Sequence, residues 1–136
     1  MSPYPELLHT VIDTTDTRAL AEFYRQLLSL RHRAGDEPSE TPESQPGWLV
    51  LVDASGVRKL VFQRVDLLPR ITWPAHDIPM QIHLDFTVRN AAELQRQRQR
   101  AESLGSQVMF DRTDDAEEPL YVFADPSGHP FCIFVA

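Results

Sequence analysis

The sequence predicts an α+β fold built twice over. Two βαβββ modules, residues 7–65 and 80–136, are joined by a linker at 66–79 and form one curved, half-open mixed sheet with the helices outside. Three observations predict it. A strand-like run followed by a capped helical stripe occurs near the start and again after residue 80. Each is followed by two or three short β-branched or aromatic runs separated by turn residues. Along 80–88 the side chains alternate, so Met80, Ile82, Leu84, Phe86 and Val88 share a face that packs under the helices. Gln81, His83, Asp85 and Thr87 share the other, concave face.

Taken in order, Leu7-Leu8-His9-Thr10-Val11-Ile12-Asp13 reads as the first strand. Asp16 can cap the next helix by accepting from its free first-turn amides. In that helix Leu20, Phe23, Tyr24, Leu27 and Leu28 recur at i, i+3, i+4, i+7 and i+8, a continuous apolar stripe. Residues 35–47 carry three prolines and four acidic side chains, which predicts a poorly packed excursion, at most a flap, that adds little stability. Residues 48–52 and 57–65 form a hairpin around Asp53-Ala54-Ser55-Gly56, and Pro69, Pro74 and Pro79 mark the linker. In the second module residues 80–88 are a strand and Asn90 caps a helix over 91–104. Glu93 stands where a capping box needs it, and Gly105 stops the helix. Residues 107–110, 120–124 and 131–135 are strands, the last two joined by a type I turn at Asp125-Pro126-Ser127-Gly128.

At 136 residues one domain is expected, burying roughly 70% of its unfolded surface. An apolar fraction of 42% excludes a disordered chain. The first six residues have no basic start or apolar run, and no stretch approaches the ~20 apolar residues of a membrane helix, so neither a secretory signal nor a membrane partner is expected. Thirteen basic against twenty acidic residues give a net charge of −7, which argues against a nucleic-acid surface. The one basic run, Gln95-Arg96-Gln97-Arg98-Gln99-Arg100, spreads around a helix and reads as a solvated face. Cys132 is the single cysteine, which suits a reducing cytoplasm. The expected partners are a small-molecule ligand and a second copy of the chain, because a half-open sheet exposes edges that need covering.

Several segments together resemble the glyoxalase/bleomycin-resistance/extradiol-dioxygenase superfamily, the vicinal oxygen chelate proteins. They are His9-Thr10-Val11-Ile12-Asp13-Thr14-Thr15-Asp16, Phe23-Tyr24-Arg25-Gln26-Leu27-Leu28, His83-Leu84-Asp85-Phe86-Thr87-Val88 and Asp125-Pro126-Ser127-Gly128-His129-Pro130-Phe131. The chain is most similar to the glyoxalase-like bacterial members that end Asp-Pro-x-Gly-His-Pro-Phe-Cys. Metal-dependent relatives take a ligand from the first strand, another from the first strand of the second half, and a Glu from the last strand. The resemblance places these at His9, His83 and Cys132. A thiol therefore stands where the relatives have a carboxylate, and the 2-His-1-carboxylate set that suits non-haem iron is not intact. The implied cofactor is a divalent metal (zinc, nickel, manganese or iron) or none.

Each residue has a plainer alternative. His83 and His9 are ligands together or ordinary pocket histidines together. Cys132 is a small buried hydrophobe or, as thiolate, completes a His₂Cys site suited to zinc. Asp85, the candidate catalytic residue, acts as a general base, holds His83 in one tautomer, or anchors a pocket Arg. Gln63 lies near where some relatives carry a fourth polar pocket residue, or it faces solvent. Trp48 and Tyr121, with Trp73, line a groove for a planar ligand or sit in the core. Two functions are open: a metal-dependent lyase, isomerase or transferase acting on a small oxygen-rich substrate, and a metal-free sequestering protein of the bleomycin-resistance type. Loss of the carboxylate makes extradiol ring cleavage the least favoured metal chemistry.

Overall fold

The computed structural model describes residues 2–38 and 45–136, and the chain divides into two units, Met1–Leu68 and Pro69–Ala136. The first contains β1 (Thr10–Thr14), α1 (Thr17–Leu28), β2 (Arg31–His32), β3 (Trp48–Val52) and β4 (Arg58–Arg64). Its four-stranded sheet has the order β1-β4-β3-β2, with β1 parallel to β4 and the other pairs antiparallel. The second contains β5 (Leu84–Val88), α2 (Ala91–Ser103), β6 (Gln107–Arg112), β7 (Leu120–Ala124) and β8 (Pro130–Val135). Its sheet repeats the pattern as β5-β8-β7-β6, again with the outer pair β5 and β8 parallel. The architecture is the predicted α+β repeat.

In the first unit Asp16 caps α1, its carboxylate accepting from the Ala19 amide at 3.0 Å. The stripe of Leu20, Phe23, Tyr24 and Leu27 is buried, and the Tyr24 ring stacks on Phe62 of β4 at 5.9 Å. The helix side of the sheet is therefore the side of Ile12, Phe62 and Leu49, which are register partners. β1 begins at Thr10, three residues later than expected, because the first β4 residue it meets is Leu60. Leu7 and Leu8 are left exposed. β2 was not predicted, since two residues are too short to show alternation.

The expectation of a loosely attached excursion at 35–47 fails at both described ends, while residues 39–44 lie outside the described residues. The Gln45 side-chain oxygen accepts from the Arg18 amide at 3.0 Å, and the Thr17 hydroxyl lies 2.8 Å from the Pro46 carbonyl. The Asp36 carboxylate accepts from the Val50 amide at 3.0 Å, and its carbonyl accepts from Arg18. The first turn of α1 has amides without helical partners, and this segment supplies an acceptor for one of them.

In the second unit the Asn90 side chain accepts from the Glu93 amide at 2.9 Å. The other half of the capping box is absent, because the Glu93 carboxylate pairs with Arg96 instead. Arg98 pairs with Glu102 and lies over the Tyr121 ring, so the basic run is a solvated, largely internally paired face. Under the helix Phe123 and Phe131 stack at 4.9 Å. β5 begins at Leu84 rather than Met80, because its first ladder partner on β8 is Phe131. The stretch at 69–79 is a folded loop of the second unit: the Thr72 amide donates to the Ile78 carbonyl at 2.8 Å, and Trp73 meets Phe110 edge-on at 5.4 Å. In the final turn Gly128 has φ +92°, and a Cβ there would come within 2.9 Å of the Arg70 side chain. Glycine is thus favoured by the backbone conformation, and a side chain there would also displace Arg70. No helix among the described residues is long and apolar enough to cross a membrane.

Candidate metal centre

β5 alternates as predicted. Leu84, Phe86 and Val88 are half-buried, and Asp85 and Thr87 are exposed on the other face. Asp85 is the direct register partner of Cys132 on the parallel neighbour β8, so their side chains leave the same face of the sheet. His83 immediately precedes β5, and its Nε2 lies 3.1 Å from an Asp85 carboxylate oxygen. One nitrogen of His83, one oxygen of Asp85 and the sulfur of Cys132 all lie within 4.8 Å of one another. Three donor types therefore meet on one strand pair.

The cluster grades from wet to dry. His83 and Asp85 are more than a third exposed, whereas Cys132 is buried. Burial, then the Asp85 charge and its hydrogen bond to the thiol, push the Cys132 thiol up to about 11. Asp85 therefore lies close to two groups that can ligate a metal, the His83 imidazole and the Cys132 sulfur. The sequence alternative in which Asp85 anchors an arginine is not what the structure shows: the carboxylate faces His83 and Cys132.

Of the other site residues, Tyr121 belongs to the same unit as this cluster, and His9, Trp48 and Gln63 belong to the first unit. Tyr121 is buried on the helix face of the second sheet, its hydroxyl 2.8 Å from Gln95 Nε2 and 3.0 Å from Arg98 on α2. Its register partner Ile133 is adjacent to Cys132, so Tyr121 faces away from the cluster. In the first unit His9 meets Trp48 edge-on at 5.9 Å. Trp48, Gln63 and Asp13 are register partners across β3, β4 and β1, on the face opposite α1, and all three side chains are exposed. His9 Nδ1 is buried with no hydrogen-bond partner among the described residues.

Comparing the two sheets shows what the fold itself requires. Thr10 pairs with Leu60 at the start of one parallel ladder, as Leu84 pairs with Phe131 at the start of the other. His9 and His83 thus occupy equivalent places. The places of Asp85 and Cys132 are taken in the first unit by the pair Val11 and Val61. Two valines suffice to build this strand pair, so a carboxylate beside a thiol is not a structural necessity.

A divalent ion fits these residues. Bonds of ~2.0–2.3 Å from nitrogen, oxygen and sulfur put two ligands of one ion at most ~4.0–4.6 Å apart. Donors already within 4.8 Å reach that with a shift of tenths of an ångström. The sequence suggests all three residues, with His83 and Cys132 in one site and Asp85 beside His83, but not the pairing of Asp85 with Cys132, since nothing local states that residue 85 pairs with residue 132. The available signal was weaker: a His-x-Asp on one strand face, and a polar-capable residue within an apolar final strand.

A family model described as a glyoxalase-like domain matches residues 9–134. No curated protein matches the chain by sequence. Among solved structures, it is similar to a glyoxalase/bleomycin resistance protein/dioxygenase family enzyme from Burkholderia phytofirmans PsJN, at 16% identity and a TM-score of 0.70, covering 96% of this chain and 98% of that one. It is similar to the fosfomycin resistance protein FosX from Listeria monocytogenes, at 16% identity and 0.67, covering 98% and 92%. A possible glyoxalase from Bacillus cereus follows at 15% identity and 0.63, covering 95% and 97%. At these identities the likeness is one of fold.

Proposed function

The chain belongs to the glyoxalase-like domain family, within the glyoxalase/bleomycin resistance/dioxygenase superfamily, and from that premise we propose that it is a divalent-metal-dependent enzyme. It acts as a lyase, isomerase or transferase on a small oxygen-rich molecule. The observation that carries this reading is the approach of His83, Asp85 and Cys132 to within 4.8 Å on an open sheet face. A bound ion there would polarise adjacent substrate oxygens and stabilise an enolate or a departing alkoxide. The exposed His83 and Asp85 would orient the substrate at the mouth of the site, while the buried side of Cys132 keeps water from its floor. A homodimer in the cytoplasm completes the reading, supported by the single cysteine and by the edge strands that each sheet presents.

Metal analysis of protein purified from supplemented cultures tests this. About one ion per chain, removable by chelator and restored by zinc, is the expected result. Protein that takes up neither zinc, nickel, manganese nor iron in titration would leave the metal-free small-molecule binding reading in its place. The observation favouring that second reading is the exposed Trp48 ring, set edge-on to His9 beside Gln63 and available to stack on a planar ligand.

A further inference from the structure

Resting on the metal-dependent reading, we propose that Asp85 is itself a metal ligand. The carboxylate expected on the last strand has moved one strand over, to β5, and His83, Asp85 and Cys132 form a nitrogen–oxygen–sulfur donor set. Ligation is a role distinct from the three that the sequence leaves open for Asp85: general base, partner that holds His83 in one tautomer, or anchor for an arginine.

Register makes the exchange possible. Asp85 and Cys132 are paired across a parallel ladder whose strands run ~4.8 Å apart, so a carboxylate on either strand reaches the same point above the sheet. Asp85 is also close to both other donors, 3.1 Å from His83 Nε2 and within 4.8 Å of the sulfur of Cys132, its partner across the ladder. A carboxylate that served only to orient His83 from outside would have no need to lie within ligand-pair distance of the sulfur as well. The first unit supplies the control, since its equivalent strand pair carries Val11 and Val61 and folds without either polar group.

The donor set also selects the metal. Ligands bind deprotonated, so a thiolate and a carboxylate together neutralise a divalent ion beside a neutral imidazole. One soft sulfur with one nitrogen and one oxygen suits zinc or cobalt and disfavours magnesium and manganese, which take oxygen.

Cobalt(II) titration of the full metal-free chain, followed by absorption, tests the assignment. The wild type is expected to show a thiolate-to-cobalt charge-transfer band, which Cys132→Ser abolishes. Asp85→Asn and Asp85→Val, the latter copying Val11, are expected to fold, as judged by circular dichroism. Both should lose at least tenfold in affinity for cobalt and zinc and change the visible ligand-field bands. Asp85→Glu should restore part of the affinity. If Asp85→Asn and Asp85→Val leave band shape and affinity within twofold of wild type, the ligand assignment is overturned while the metal-dependent reading stands. If the wild type itself binds neither cobalt nor zinc, the metal-dependent reading falls with it.

Discussion

Asp85 carries an exposed negative charge in mid-strand, and its neighbours decide what removing that charge does. Its neighbours are a histidine more than a third exposed and a thiol, and among the described residues no arginine is paired with it. Exposed ion pairs contribute little, from nothing to about 1 kcal/mol. Asp85→Asn should therefore shift the unfolding free energy by less than about 1 kcal/mol, measured by urea denaturation without metal. A loss of 3 kcal/mol or more would mean that the carboxylate supports the fold. His9 presents the opposite case. Its Nδ1 is buried without a partner among the described residues, and such an atom costs about 1–3 kcal/mol. His9→Phe keeps an aromatic edge against Trp48 and removes the stranded nitrogen. Its melting temperature should equal or exceed that of wild type, and a fall of several degrees would show that the imidazole has a partner.

At the scale of elements, helix ends and strand faces were legible in the sequence. Asp16 and Asn90 cap as predicted, because a cap bonds within three residues of itself. The apolar stripe of α1 and the alternation of β5 were legible for the same reason, since periodicity is local. Strand starts were not. Leu7-Leu8 and residues 80–83 look like strand, but the parallel ladders begin only at the pairs Thr10–Leu60 and Leu84–Phe131. The attachment of Gln45 and Pro46 to α1 was likewise invisible, as it joins residues 27 to 29 positions apart. It has a measurable consequence. Thr17 is fully buried, and Thr17→Val leaves the Pro46 carbonyl without its hydroxyl donor. A loss of about 1–2 kcal/mol is expected by urea denaturation. A change below about 0.3 kcal/mol would restore the loosely attached excursion that composition suggests.

For the molecule as a whole, one source of acid sensitivity is a partly buried histidine in the first unit. Burial holds the His32 imidazole below its ordinary value of 6.5, helped by Arg25 and Arg18 and opposed by Glu22 and Glu37. Below pH 6.5 the unfolded chain then binds the proton that the folded chain refuses, so stability falls as pH drops through that value. The loss stops growing once the folded histidine titrates too. Chemical denaturation at pH 7.5 and 5.5 should show a smaller drop for His32→Gln than for wild type, and equal drops would exclude His32 as a source.

The amino-acid pattern alone shows that this chain is a βαβββ repeat and which faces its helices bury, and it marks His9, His83, Asp85 and Cys132 as candidates for chemistry. Those properties follow from periodicity, caps and turn chemistry within a few residues of each other. That Asp85 is brought beside both His83 and Cys132, and that Tyr121 lies under α2, follows from the tertiary structure alone. Residues 85 and 132 are 47 positions apart, and their adjacency is a matter of strand register. Register is set by where two distant strands begin to share hydrogen bonds, and a slip of one residue would turn Asp85 onto the helix face.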